Sequence, residues 1–245
     1  MSYSYLAWPP LAPRIAFAIA DNERKSAAFF EQFYLPPLPD ADIAAVVPED
    51  MVYPPPAYRF EPPTDHQIER TIRSLPPDKA PGPDGIINRV YKAAAPALVP
   101  HLGPLFRATF SLNHYPNQWK VFKTVVLRKP GKPDYCLPKA HRPIALMNCL
   151  SKILSACVAE ELSFQAERLH MLPSTQFGAT RTLHQRQPPP PNIKSAFPSV
   201  TPAIVAHDMR MCGVPCEVTD WFLNKSNQQR TVLCFDNYIS EEHTM

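Results

Sequence analysis

Apolar positions along this chain change period several times, and the changes predict its elements. Thr64 followed by Gln67 makes a capping box. Ile68, Ile72 and Leu75 then repeat at i, i+4, i+7 until Pro76 and Pro77 close an amphipathic helix. Helical patterns follow at 88–95 and at 98–112; the second carries Leu98, Leu102, Leu105, Phe106 and Phe110 on one face despite Pro104. The β-branched run 121–127 predicts a strand that delivers Arg128 and Lys129 into the tight turn KPGKPD. The strongest helical pattern runs from 148 to 171, with Leu150, Ile153, Leu154, Cys157, Val158, Leu162 and Leu169 as its stripe and Glu160, Glu161 and Glu167 facing away. Beyond it, Thr201 is expected to cap a helix with Pro202 at its first position and Gly213 just past its end. A second helix carries Val218, Trp221 and Phe222, and 231–240 reads as a hairpin turning at Asp236 and Asn237.

Between these elements the pattern weakens. Residues 1–61 read as a Pro-rich, poorly structured approach segment with one short helix at 22–34, where Ala27, Phe30 and Phe33 line up before Pro36 and Pro37. KAPGPDGI, residues 79–86, reads as a rigid turn in which the prolines fix φ and Gly82 and Gly85 take positive φ. Residues 179–191 are polar and aperiodic and then carry Pro188 to Pro191, which fit neither a helix nor a central strand. A strand broken there is expected to leave the helices at 148–171 and 201–212 without a complete sheet to cover, their apolar faces exposed.

Composition narrows the class. Proline supplies 32 of 245 residues and glycine only 6, against usual shares of about 5% and about 7%. There is no glycine at every third residue, which excludes collagen. No apolar stretch approaches the roughly 20 residues of a membrane helix, so spanning is not expected. The run Ile15 to Ala20 is shorter than a signal-peptide core. Six cysteines without framework spacing fit a reducing, intracellular compartment. His207, Cys212 and Cys216 lack a fourth neighbour for structural zinc, and Cys212 falls at an apolar helix position. The formal charge of +3 hides a division: residues 1–62 carry net −4, whereas 119–152 carry eight Lys/Arg against Asp134 alone. That density beside Trp119, Phe122 and Tyr135 is either a solvated face or a surface for a phosphate-bearing partner.

Five ordered motifs resemble one family. LPPDKAPGPDGI (75–86), YPNQWKVFKTVVLRKPGKPD (115–134), KAHRPIALMNCLSKIL (139–154), LPSTQFG (172–178) and NIKSAFPSV (192–200) are similar to the reverse transcriptase domain of non-LTR, LINE-like retrotransposons, in particular versions common in fungal genomes. The resemblance covers roughly 21–245, weakly before 62 and strongly over 62–178. It implies an α+β, helix-rich, incomplete right-hand polymerase: a fingers-like region at 62–178, a deletion junction at 179–191 and a truncated partial palm at 192–245. It also implies RNA or an RNA/DNA template-primer as partner. Lys129 and Arg142 are the leading candidates for nucleotide and template contact, with Lys120, Lys132 and Lys139 beside them. Arginine offers a bidentate fork to phosphate and lysine a point charge.

The same resemblance implies lost chemistry. Intact members are two-metal polymerases that use Mg²⁺, and Asn192 stands at the position of their first catalytic aspartate. A neutral amide cannot replace a carboxylate in holding two hard cations beside a triphosphate. Only 13 residues separate Gly178 from Asn192, too few for the helix and strand start that the family places there. The chain ends at Met245, ahead of the family's glutamine-glycine loop and paired-aspartate turn. No catalytic residue set is therefore expected to be intact, with no metal and no cofactor for this chain. The alternatives are a residual nucleic-acid-binding module built on 119–152, or proline clusters that serve SH3- or WW-type domains. The expected outcome is no Mg²⁺-dependent primer extension above a buffer control from purified protein, with or without Asn192→Asp. Extension by the unaltered chain contradicts this.

Overall fold

A computed structural model describes residues 21–34, 43–44, 46–48, 50–171 and 201–245. LPSTQFG, the 179–191 junction with its four prolines and Asn192 lie outside the described residues. The described elements are α1 (Asn22–Phe33), α2 (Asp65–Ser74), α3 (Asn88–Ser111), β1 (Val121–Arg128), β2 (His141–Leu146), α4 (Cys149–Arg168), α5 (Pro202–Met211), α6 (Cys216–Ser226), β3 (Arg230–Phe235) and β4 (Tyr238–Thr244). Helices beside one four-stranded mixed sheet agree with the expected α+β class. Among the described residues, no helix is long and apolar enough to cross a membrane.

The helical layer forms around α4. α2 opens with the expected capping box: Gln67 N donates to Thr64 Oγ1 at 3.2 Å and Thr64 N donates to Gln67 Oε1 at 2.9 Å. Its Ile68 and Ile72 pack with Ile153 and Leu154 of α4, Phe106 of α3 and Val218 of α6. Fully burying an aliphatic side chain of this kind stabilises by roughly 1.5–3 kcal/mol. Trp221 sits at the seam of α3 and α6, stacked on Phe110 at 5.3 Å, with Nε1 donating to Thr109 Oγ1 at 3.1 Å. The apolar stripe of α4 is thus covered by other helices rather than left bare, which corrects the expectation of an exposed face.

α3 corrects the expectation of two helices. It is continuous over 24 residues with Pro96, Pro100 and Pro104 inside. Each proline removes one backbone donor. The three lie four residues apart and all are exposed, so the deprived carbonyls fall on the side where water satisfies them. Tyr91, Ala95, Val99, Leu102 and Phe106 occupy the buried side.

The sheet runs β2-β1-β3-β4, with β1 antiparallel to β2 and parallel to β3. β3 and β4 form the expected hairpin, and Asp236 (φ 47) and Asn237 (φ 60) supply the two positive-φ residues of a type I′ turn. α1 covers one sheet face: Phe29 and Phe33 pack with Val126, Leu233 and Phe235. Beneath them, Tyr34 OH lies 2.9 Å from Thr124 Oγ1, which lies 2.7 Å from Thr231 Oγ1. Within 1–61 the expected short helix is present as α1. Tyr58 is buried as well, and Ala57 N donates to Gly213 O at 2.8 Å. In the described part of 192–245, β3 pairs in parallel with β1 in the same sheet.

Three local expectations change. Gly85 has φ +70, but Gly82 is not among the positive-φ residues; a Cβ there would meet the Met147 and Asn148 backbone at 2.5 Å. Thr201 precedes α5 without a side-chain capping bond, although Pro202 and Gly213 (φ +85) stand as expected. Cys212 is exposed just past α5, whose buried residues are Ala206 and His207.

Candidate nucleic-acid interface

The end of the β1–β2 hairpin gathers most of the predicted cations. Lys129 N donates to Ala140 O at 2.8 Å, extending the ladder one step beyond the strands. Gly131 at φ +72 reverses the chain, and Asp134 Oδ1 accepts from Cys136 N at 2.7 Å to tighten the loop. Tyr135 OH donates to Lys129 O at 2.8 Å, and Lys129 Nζ donates to Lys139 O at 2.9 Å. These bonds hold Lys129, Lys132 and Lys139 on one loop end, Lys132 and Lys139 exposed.

Strand alternation places Arg142. It pairs in register with Leu127, while Arg128 pairs with His141. Phe122, Thr124 and Val126 are buried on the α1 side, so Lys123, Val125 and Leu127 point the other way, and Arg142 and Ile144 share that far face. Arg142 is exposed there. Lys120 does not join this group. It ends the 3-10 turn before β1, is 7% exposed and places Nζ 3.4 Å from Asn224 Oδ1 of α6. Burial pushes its ammonium below the ordinary lysine value, and about 30 Å of strand separates it from Lys129.

Sequence reasoning missed the group beneath the hairpin end. The Arg128 guanidinium carbon stands 5.2 Å from the centroid of Tyr135, and its buried Nε and Nη2 have no hydrogen-bond partner. His141 is 4% exposed, with Phe29 edge-on at 4.9 Å and Nδ1 at 3.3 Å from Leu137 O. A carbonyl only accepts, so Nδ1 carries the proton of the neutral ring. Nε2 is buried without a partner. Burial pushes the His141 pKa down, and Arg128 beside it adds to the effect. Burial also raises the Asp236 pKa, opposed by Lys25, Arg128 and His141. The signal available in the sequence was the adjacency of His141 and Arg142: alternation sends one of them inward.

This end can attract a polyanion. Four cations on one hairpin end create a positive potential, and the half-buried Arg128 and Tyr135 brace the loop that carries them. Among the described residues, no group of His, Cys, Asp or Glu could hold a metal ion.

No family model matches the chain. Its relatives among curated proteins are RNA-directed DNA polymerases of transposable elements. It is 34% identical over 112 residues to the probable RNA-directed DNA polymerase from transposon BS of Drosophila melanogaster, covering 46% of this chain and 12% of that protein. It is 34% identical over 101 residues to the one from transposon X-element of the same fly, covering 41% and 11%. To the RNA-directed DNA polymerase from mobile element jockey it is 26% identical over 115 residues, covering 47% and 12%. The chain thus spans only 12% of the first of these relatives.

The depressed His141 pKa carries a pH dependence. Above about pH 6.5 the ring is neutral in both states and contributes no slope. As pH falls through that value the unfolded chain takes up the proton first, so stability is lost until the folded value is passed. Asp236, with its raised folded pKa, acts in the opposite sense in the more acidic carboxylate range. Urea unfolding is expected to give a lower free energy at pH 5.5 than at 7.5, with His141 accounting for up to about 1.4 kcal/mol. His141→Gln should shrink that difference; an equal loss in the variant contradicts the assignment.

Proposed function

We propose that this chain is a fragment of a non-LTR retrotransposon reverse transcriptase, of the type common in fungal genomes. In this reading it comprises fingers and part of the palm, does not polymerise, and retains binding to RNA or an RNA/DNA template-primer. The observation that carries the binding reading is the gathering of Lys129, Lys132, Lys139 and Arg142 on one hairpin end. The similarity to RNA-directed DNA polymerases supports the family.

The inactivity rests on Asn192. The residues do not fit a two-Mg²⁺ centre, because the amide of Asn192 stands where the family has a carboxylate. What its own residues do is bind. Arg142 can fork two phosphate oxygens and the lysines neutralise neighbouring ones, which gives affinity without base selection.

Binding of a fluorescent single-stranded RNA at several salt concentrations tests this. Four phosphate contacts predict a slope of log K against log salt of about −2.8, and Lys129→Ala with Arg142→Ala should remove about half of it. A salt-independent affinity, or a slope unchanged in the double variant, contradicts the proposal.

A further inference from the structure

The outward side of α3 is a surface that the nucleic-acid reading leaves unused. Between Arg89 and Ser111 its exposed positions are Val90, Ala93, Ala97, His101, Leu105 and the three prolines, with no Asp, Glu, Lys or Arg among them. The two cations within that stretch are occupied elsewhere: Lys92 donates to the carbonyls of Arg73 and Leu75, and Arg107 pairs with Asp65 at 2.7 Å. Val90 is 51% exposed, Leu105 44% and Leu112, at the helix end, 72%. Single apolar residues on a surface are ordinary; an uncharged row running about 33 Å along one helix is not.

The chemistry of this row suits a second copy of itself. Like charges oppose the pairing of identical surfaces, and none stands here. Alanine and proline lose no rotamer freedom when covered, so burying them costs little entropy. Pro96, Pro100 and Pro104 have no N–H, which leaves the carbonyls of Lys92, Pro96 and Pro100 as acceptors, and the His101 ring supplies a donor. An antiparallel pairing is isologous: it sets Val90 opposite the second copy's Leu112 and brings His101 to the axis, beside those acceptors. The row offers on the order of 600 Å² per copy, so a pair buries about 1,200 Å², the lower edge of specific interfaces. Association in the micromolar range follows.

We propose that the outward side of α3 is a self-association surface, on which two copies of this chain pair antiparallel about a two-fold axis near His101. The contact is apolar and independent of the cations on the hairpin end. It therefore stands whether or not the chain binds RNA, and added salt does not weaken it.

Sedimentation velocity on the nuclease-treated full chain at high salt tests this. The expected result is a monomer that becomes a dimer over roughly 1 to 100 µM. Val90→Glu with Leu105→Glu, both at exposed positions, should weaken the dimer by at least about tenfold. Oxidation of the His101→Cys variant should give a disulfide between position 101 of the two copies, found by peptide mass spectrometry, whereas Leu112→Cys should give none to its own counterpart. That cross-link decides alone if the glutamates disturb folding. A monomer at every concentration, or a dimer unchanged by the glutamates and lacking the cross-link at 101, overturns the proposal.

Discussion

The contact between Gly82 and the Met147–Asn148 backbone holds the helical layer to the sheet. Nothing larger than hydrogen fits on Gly82, because a Cβ would lie 2.5 Å from Met147 C and O and from Asn148 N. Around it, Cys149 Sγ lies 2.9 Å from Asn88 Oδ1 and 3.2 Å from Ile86 O, two acceptors for its single S–H, and Asn88 Nδ2 donates to Pro76 O at 2.8 Å. Asn148 Nδ2 donates to Gln118 O at 2.9 Å, just ahead of β1. The turn between α2 and α3 is thereby clamped to the point where β2 becomes α4. The position of β2 against β1, and with it the placement of Arg142, follows from that clamp.

From the sheet the division of labour follows. β1 buries Phe122, Thr124 and Val126 on one face and leaves Lys123, Val125 and Leu127 half-buried on the other. α1 covers one face and buries His141 beneath Phe29. The cations that remain outside collect where the hairpin turns, held by Tyr135 and by the Lys129–Lys139 bond. Positive charge around the sheet is therefore sorted: Lys120 is drawn toward α6, Arg128 sits beneath the hairpin end, and Lys129, Lys132, Lys139 and Arg142 gather where the hairpin turns.

Much of this was legible in the sequence because short-range rules dictate it. The capping box at Thr64, the strand from Val121 and the turn at Asp236–Asn237 each depend on a few neighbouring residues. α3 was not legible, since proline breaks a helix only when its lost bond is not made good by water, and exposure is a tertiary fact. Gly82 misled for a related reason: glycine serves either positive φ or close approach, and only the second partner, 65 residues away, tells which. Of the candidate residues, composition located the run of cations, but not that Lys120 lies apart from the others, buried with Nζ 3.4 Å from Asn224, 104 residues on. His141 and Asp236 were missed because their role depends on α1 folding back over the sheet.

Photocross-linking of a 4-thiouridine-labelled single-stranded RNA, with the adducts mapped by mass spectrometry, tests the central claim most directly. Adducts concentrated in residues 129–142, Tyr135 among them, are the predicted result. Adducts confined to the helical layer of α2, α3 and α4, with none in 129–142, would contradict the account.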